Sequence, residues 1–362
     1  MVDSYTSGMF RLFLPLLASL SFVGAAVPSA SRIDPIVIAH RGASAERPEH
    51  TLAAYDLAVS HGADFIEPDL VMTRDGVLVA RHENEIGGTT DVASRLEFRD
   101  RRRTRVIDGQ PVTGWFTEDF SLAELRTLRA RERLPELRPQ NTSYDGHFLV
   151  PTLAEVIELA RRRSQETGRS IGIYPELKHP TYFRGVGLPM EETLVAELNR
   201  AGWRDRHAPV FVQSFEVGTL QRLNRLTKVR LVQLLDGDGR PFDRPDLTYR
   251  GMATAAGMTA IARYADGLGP AKELIIPRDP SGRTGKPTSL VRNAKAAGLL
   301  VHPWTFRPEN IFLPAELRRG DDVRAHGNIA AEAKMFLELG VDGFFTDAPE
   351  LGIAARDASR RP

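Results

Sequence analysis

Two short segments of the chain end apolar runs in side chains that can do chemistry. The segment IVIAHRG closes an aliphatic run with His40 and Arg41. The segment FIEPDL carries Glu67 and Asp69 two positions apart, so that both carboxylates point to one face of a strand. Two carboxylates this close repel each other unless a cation neutralises them, and Ca²⁺ or Mg²⁺ with oxygen ligands would do so.

A third segment, VLVARH, ends on His82, and the Thr-Arg-Asp-Gly link before it has the composition of a hairpin turn. With a two-residue loop at positions 75–76, Asp69 would face His82; with the loop at 74–75, Glu67 would face it. A wider turn would change this pairing. Either tight register predicts that His82 lies beside the carboxylate pair.

A fourth segment, GIYPELK, places Glu176 and Lys178 on one strand face. Glu176 can supply a third oxygen ligand to a divalent cation, and Lys178 can face an anion close to that cation. Alternatives stay open for each segment taken alone: a His and an Arg at a surface strand end, a solvent-facing alternation of charges, or a structural Glu–Lys pair.

Together the four segments supply two imidazoles, three carboxylates, a guanidinium and an ammonium group. Imidazoles suit proton transfer near neutral pH. A divalent cation held by carboxylates suits the polarisation of a phosphoryl oxygen, and Arg and Lys suit the remaining phosphate charge. The chemistry that this set favours is hydrolysis of a phosphate ester.

The elements that must position these residues follow a βα alternation. Strands are predicted at residues 36–40, 65–72, 77–82, 171–177, 210–215, 229–235, 267–268, 299–306 and 343–346. Helices are predicted at residues 152–163, 191–201, 216–226, 289–297 and 330–339. Repeated βα units predict a (β/α)8 barrel, with polar residues at the carboxyl ends of its strands, and an open doubly wound sheet is the alternative.

The region between His82 and residue 151 interrupts this alternation. It is predicted to be an insertion, at about 83–150, on a single catalytic barrel domain that spans residues 33–355. The insertion contains the basic run RDRRRTR, which is predicted to be a solvated face; contact with an anionic surface is the alternative.

The amino-terminal residues have the pattern of an export signal. Residues 12–26 are apolar or small, follow Arg11, and end in Gly-Ala-Ala, which is typical of a signal-peptidase site. The run is short for a membrane span, although an uncleaved anchor remains the alternative. We therefore predict a signal peptide at residues 1–26, a periplasmic or secreted protein, and no stable membrane span after cleavage.

Composition excludes several classes of function. The chain has 362 residues, with 48 Lys and Arg against 47 Asp and Glu, mixed along its length. This balance argues against a nucleic-acid partner, which needs a clustered basic surface. With no Cys, the chain has no thiolate nucleophile, no Cys-zinc site and no iron–sulfur cluster.

The segments resemble the glycerophosphodiester phosphodiesterases, most closely the exported, periplasmic-type members. The matching stretches are IAHRGASAERPEHT, GADFIEPDLVMTRDGVLVARH, GIYPELKHP, YADGLGP, VHPWTFR and GVDGFFTDAP, which occur in this order along nearly the whole mature chain. The resemblance implies a TIM barrel with an insertion after the strand that ends at His82. It also implies a small-molecule substrate, such as glycerophosphocholine or glycerophosphoethanolamine, and sn-glycerol 3-phosphate as a product.

The resemblance further implies roles for single residues. His40 and His82 would be the catalytic acid/base pair, and which of them is the acid stays open. Glu67, Asp69 and Glu176 would bind Ca²⁺ or another divalent cation. Phosphate contacts would come from Arg41 and Lys178, and the pocket would be lined by Gln213 and Trp304. The family motif continues with Asp after the second histidine, where this chain has Glu83.

Two other functions are compatible with the same residues. A phosphodiesterase similar to sphingomyelinase D shares the two histidines and the metal carboxylates, and it would need an open, apolar pocket for a lipid tail. An exported protein that binds glycerophosphodiesters without cleaving them would not need two proton-transferring imidazoles.

Overall fold

The computed structural model describes residues 1–6, 8 and 34–360 of the chain. The apolar run of the predicted signal peptide, residues 12–26, falls outside these ranges, so the signal peptide stays a prediction. Within the described ranges, no helix is long and apolar enough to cross a membrane.

Thirteen strands, β1 to β13, occur in the described residues. In chain order they are Ile36–His40, Phe65–Glu67, Asp69–Met72, Leu78–Ala80, Arg103–Ile107, Gln110–Gly114, Gly172–Ile173, Glu176–Leu177, Phe211–Ser214, Arg230–Leu235, Gly267–Pro270, Leu300–Val301 and Gly343–Thr346. Every strand predicted from the sequence is present, although several are shorter than predicted.

Twelve α-helices, α1 to α12, are described. They are Leu52–Ser60, Leu122–Leu125, Leu153–Thr167, Pro180–Gly185, Met190–Arg200, Val217–Leu226, Tyr249–Met252, Ala255–Ile261, Lys272–Ile275, Leu290–Ala296, Ile329–Glu338 and Pro349–Ser359. The longest, α3, begins with a reciprocal capping box between Thr152 and Glu155 and ends at Gly168 in the left-handed region. Its apolar side chains are buried and its charged ones face solvent, as the helical spacing predicts.

The strands close into an eight-membered parallel barrel. One sheet has the order β13-β1-β2-β7, and the other has the order β12-β11-β10-β9-β8-β3, with β4 at its edge. Single bridges between Ile173 and Val210 and between Phe306 and Thr346 join the two sheets. Because β2 with β3 and β7 with β8 each form one broken strand, eight strands surround the axis, and the predicted (β/α)8 barrel is confirmed.

Prolines break the two strands that carry the carboxylates. The predicted strand at 65–72 is interrupted at Pro68, and the one at 171–177 is interrupted at Tyr174 and Pro175. Proline has no backbone N–H to donate to a neighbouring strand, so pairing stops at each of these positions. The pairing partner changes there too: β2 pairs with β1 and β7, whereas β3 pairs with β8 and β4.

The hairpin before His82 differs from both predicted registers. Leu70 pairs with Ala80 and Met72 pairs with Leu78, which centres the turn on Asp75. Continued along the strands, this register sets Asp69 opposite Arg81, whose backbone N–H donates to the Asp69 carbonyl at 2.9 Å. The two predicted positions of a two-residue loop, 75–76 and 74–75, are therefore both wrong. His82 directly follows Arg81 and lies beyond the paired residues of the hairpin. It lines the same cavity as the carboxylates without pairing with them across the hairpin.

Packed rings fill the barrel interior below the carboxyl ends of the strands. Tyr174 stacks on Phe211 at a centroid distance of 5.0 Å and meets Phe345 edge-on at 4.9 Å. Ile38, Phe65 and Val232 complete this inner cluster, and a larger apolar cluster lies between the strands and the helices. A filled interior leaves room for ligands only at the ends of the strands.

The insertion packs tightly against the barrel rather than standing apart from it. It consists of short 3₁₀ helices, α2, and the β5–β6 hairpin. Its basic run is engaged in ion pairs: Arg101 with Glu124 at 2.5 Å, and Arg105 with Asp119 at 2.5 Å. Because these arginines are already paired with carboxylates, they are less available for contact with an anionic surface. The ion pairs therefore favour the prediction of a solvated face.

A glycine after Arg41 allows the close packing on which the first strand end depends. Gly42 has φ +90°, and a Cβ there would lie 2.7 Å from the Ala54 backbone. We expect Gly42→Ala to lower the free energy of unfolding in urea by about 3 kcal/mol, from backbone strain plus overpacking. Gly76 has φ +78° in open space. Gly76→Ala should therefore cost only about 1 kcal/mol. Equal losses in the two variants would contradict this account.

Candidate active site

A cavity of about 260 Å³ opens where the barrel strands end. All nine site residues predicted from the sequence line it. They are His40, Arg41, Glu67, Asp69, His82, Glu176, Lys178, Gln213 and Trp304. The sequence placed these residues on six separate strands or strand ends, and barrel closure brings them together.

The three predicted metal ligands form one cluster. Oxygen atoms of Glu67, Asp69 and Glu176 lie within 4.8 Å of one another, and all three side chains are buried. Burial and the neighbouring carboxylates raise the pKa of Glu67 well above its usual range. Burial, opposed by Lys178 and reinforced by Asp69, raises the pKa of Glu176 to about 8. Glu67 and Glu176 are therefore costly to ionise without a cation, whereas Lys178 and the nearby histidines outweigh burial and lower the pKa of Asp69.

The remaining contacts of the cluster leave oxygen atoms free for a cation. Asp69 Oδ2 accepts from His50 Nε2 at 2.9 Å, and Arg41 Nε lies 3.3 Å from it, whereas buried Asp69 Oδ1 has no hydrogen-bond partner. Gln213 donates to Glu67 Oε1 at 3.3 Å, and its own Oε1 is buried without a partner. Orphaned oxygen atoms among carboxylates are the donor set that a hard divalent cation prefers, so the residues fit such an ion.

Each histidine is oriented by its own carboxylate. Nδ1 of His40 lies 2.6 Å from Asp347 Oδ1, and Nδ1 of His82 lies 2.5 Å from Glu83 Oε1. An ionised carboxylate can only accept, so Nδ1 carries the hydrogen in both rings. Nε2 is then the nitrogen that each imidazole can use for proton transfer. For His82, Nε2 lies 3.3 Å from Lys178 Nζ.

Both imidazoles are neutral at neutral pH in this arrangement. Burial and then Arg41 lower the pKa of His40 to about 4, although Asp347 opposes this shift. Burial, Arg41 and Lys178 lower the pKa of His82 to about 3. Arg41 and Lys178, which lower these pKa values together with Arg307, are the two side chains predicted to contact phosphate, so a bound anion would offset their effect.

Arg41 and Lys178 stay charged. Glu49, Asp69 and Glu67 together outweigh burial and raise the pKa of Arg41. Lys178 donates to Glu176 Oε1 at 2.9 Å, and Glu176 and Asp69 raise the pKa of its ammonium group despite burial. Both cations line the cavity that contains the histidines.

Two arginines of the insertion hold the carboxylates that orient the histidines. Arg138 donates to Asp347 Oδ2 at 2.7 Å and to Glu309 at 2.6 Å. Arg133 donates to Glu83 Oε2 at 2.6 Å and also contacts Glu49, at 2.7 Å. The insertion is therefore part of the site's supporting structure.

Sequence reasoning missed three parts of this support. Asp347 directly follows β13, and the pattern of a polar residue after a buried strand, which singled out His40, also applies to it. His50 is fully buried and contacts Asp69. Arg133 and Arg138 carried no usable signal, because basic residues of an insertion are ordinarily surface residues.

Comparison with known proteins agrees with this geometry. The sequence profile of the glycerophosphoryl diester phosphodiesterase family matches residues 40–351. A glycerophosphodiester phosphodiesterase of Arabidopsis thaliana, GDPD6, is 36% identical over 326 residues, which are 86% of this chain and 83% of the relative. A glycerophosphodiester phosphodiesterase of Haemophilus influenzae is 29% identical over 375 residues, covering 94% of this chain and 97% of the relative.

Solved structures show the same fold. A phosphodiesterase of Oleispira antarctica, in complex with the product sn-glycerol-3-phosphate, aligns with a TM-score of 0.60 at 21% identity. The alignment covers 90% of this chain and 97% of that one.

Proposed function

Because the chain belongs to the glycerophosphoryl diester phosphodiesterase family and is an enzyme of that family, we propose that it hydrolyses glycerophosphodiesters to sn-glycerol 3-phosphate and an alcohol. One observation carries this proposal. Two imidazoles, each with Nδ1 held by a carboxylate, share a 260 Å³ cavity with three clustered carboxylates and two cations. Each component matches one requirement of phosphodiester cleavage.

In the proposed mechanism, the two histidines divide the proton transfers. Nε2 of one imidazole accepts the proton of the nucleophile, and Nε2 of the other donates a proton to the leaving alcohol. Water as the nucleophile gives glycerol 3-phosphate directly, whereas the glycerol 2-hydroxyl gives a cyclic phosphate that water must open in a second step. The acid must be protonated, although both rings are neutral without substrate. The negative charge of the diester offsets Arg41 and Lys178, which favours one protonated ring in the complex.

The other cavity residues bind and orient the diester. Arg41 and Lys178 face the phosphate charge. Trp304 donates its indole N–H to the Gly269 carbonyl at 2.8 Å, which fixes the ring as a wall of the cavity. Glu67, Asp69 and Glu176 would hold a divalent cation, Ca²⁺ in our proposal. When bound, that cation supplies charge stabilisation to the phosphate oxygens.

Two features of the site disfavour the two alternatives. An enzyme similar to sphingomyelinase D needs an apolar path for a lipid tail, whereas the space adjoining the cavity has the carboxylates of Asp108, Glu216 and Asp236 beside its apolar and aromatic lining residues. A binding protein would release no product after overnight incubation. The orientation of both imidazoles through Nδ1 is a feature that turnover requires and binding alone does not.

The test of this function is release of glycerol 3-phosphate from glycerophosphoethanolamine, coupled to glycerol-3-phosphate dehydrogenase. We expect steady release with the protein lacking residues 1–26, in the presence of Ca²⁺. A double variant with alanine at both His40 and His82, purified in parallel, controls for contaminating phosphodiesterases. Release of phosphoethanolamine instead would mean that the other ester bond is cleaved, and would contradict the proposed products.

Glu83 provides a separate test of the Nδ1 interaction at His82. We expect Glu83→Gln to lower kcat by about 10² or more, because an amide can donate to Nδ1 and favour the wrong tautomer. Glu83→Asp should retain much more activity, since it keeps the carboxylate and matches the residue typical of the family. Steady-state kinetics on both variants makes the comparison. Equal activity in the Gln and Asp variants would rule out this role for Glu83.

A further inference from the structure

A second, larger cavity adjoins the one that holds the histidines. This outer cavity has a volume of about 920 Å³ and shares four lining residues with the inner cavity: Glu176, Lys178, Phe215 and Asp236. Another space beside His40 has a volume of about 20 Å³, enough for a water molecule only. Within the described part of the chain, the outer cavity is thus the adjoining space that can take the variable part of a diester.

Aromatic rings form one wall of the outer cavity. Phe215 stands at the border, with its ring centroid 5.8 Å from that of Trp304 and 5.9 Å from that of Tyr249, both edge-on. Tyr249 is largely buried and lines the outer cavity. Faces of aromatic rings attract ammonium groups, and quaternary ammonium groups in particular, through the ring quadrupole.

Carboxylates from several segments line the outer cavity. Asp108, Glu216, Asp236 and Asp238 line it. Burial, reinforced by Asp243 and Asp108, raises the pKa of Glu216 to about 7. Burial and then Asp236 raise the pKa of the Tyr249 hydroxyl as well. Neighbouring carboxylates therefore add to the effect of burial at both groups.

Most of the charged groups around this space are already paired. Lys178 is paired with Glu176 and Asp238 with Arg250, whereas Arg240 donates to the Pro245 carbonyl at 2.7 Å and keeps its charge. His179 is held by Asp108 at 2.6 Å. Asp236 borders both cavities and forms no ion pair within the described residues, so its charge is available to a ligand.

We propose that the outer cavity is the subsite for the leaving alcohol, and that Asp236 and the Phe215–Tyr249 wall make it select ammonium-bearing head groups over neutral polyols. This proposal rests on the proposed function, because it assigns the part of the diester that the inner cavity does not hold. The insertion contributes to this subsite too, since Asp108 follows β5 and closes one side.

The test is a ratio of kcat/KM values for glycerophosphocholine and glycerophosphoglycerol, which differ in the charge of the leaving alcohol. We expect the wild-type protein to prefer the choline diester by about tenfold, in line with an ammonium group beside aromatic rings and a carboxylate. Asp236→Asn should bring the ratio close to one, mainly through KM for the choline diester. Phe215→Leu should lower the ratio independently.

Asp246→Asn is the matched control. It makes the same change ten residues along the chain, at an exposed aspartate that pairs with Arg244 and does not line the outer cavity. The control should keep the wild-type ratio. A wild-type ratio of one, or an unchanged ratio in both the Asp236 and Phe215 variants, would overturn the subsite. Absence of turnover with either diester would instead overturn the proposed function.

Discussion

Alanine at His40 or at His82 is expected to lower kcat for glycerophosphoethanolamine by about 10³-fold or more, because each imidazole moves one of the two protons. The fold should survive both changes. Asp347 keeps its contacts with Arg138 and Arg307, and Glu83 keeps Arg133, so neither replacement leaves a buried carboxylate without a partner. Steady-state kinetics and a thermal melt measure the two effects separately.

A diester with p-nitrophenol as the leaving alcohol separates the two roles. This leaving group departs without protonation, so loss of the acid should cost far less with this substrate, whereas loss of the base should cost the same with both. The expected pattern is therefore one variant rescued and the other not. His207→Ala, at an exposed histidine outside the site, is the control. Retained activity in either active-site variant would remove that histidine from the mechanism.

The barrel could be predicted because each of its strands can be recognised separately in the sequence. Each is a short run of aliphatic residues, and each helix between them shows apolar residues at helical spacing. The exact residue pairing in the hairpin before His82 could not be predicted from the sequence. Hairpin chemistry around Asp75-Gly76 suggested a two-residue loop, but Thr73 donates its side chain to Asp75 at 2.6 Å and accepts from the Val77 backbone, which stabilises the wider turn that forms.

The groups that line the cavity were predictable for a similar reason. A charged residue at the end of a buried strand is an exception to the apolar pattern. The carboxyl ends of all parallel barrel strands lie at the same end of the barrel, so such residues come close together. Asp347 obeys this rule and could have been found. The arginines that hold the carboxylates of the histidines follow no such rule, because Arg133 and Arg138 lie in irregular backbone. Their burial depends on where the insertion folds, and no local pattern encodes that.

The carboxylate cluster gives the last prediction, which concerns metal. Chelation by excess EDTA is expected to abolish turnover, and added Ca²⁺ to restore it, because Glu67, Asp69 and Glu176 form a buried cluster of carboxylates in which Asp69 Oδ1 has no hydrogen-bond partner. Binding should also be visible without any assay of activity. A cation at a hundredfold excess over its Kd stabilises the folded protein by about 2.7 kcal/mol, which raises the melting temperature.

Glu67→Gln should reverse the order of stability. Without a cation, burial together with Asp69 and Glu176 makes ionised Glu67 unfavourable, so the neutral variant should melt at a higher temperature than the metal-free wild type. With Ca²⁺ the wild type should gain stability and the variant should gain little. Glu118→Gln changes another buried carboxylate, which is held by Asn84 and Tyr182, and should leave the response to Ca²⁺ intact. An equal response in wild type and Glu67→Gln would mean that the cation binds elsewhere, since a site built on mutual repulsion must lose affinity when one of its charges is removed.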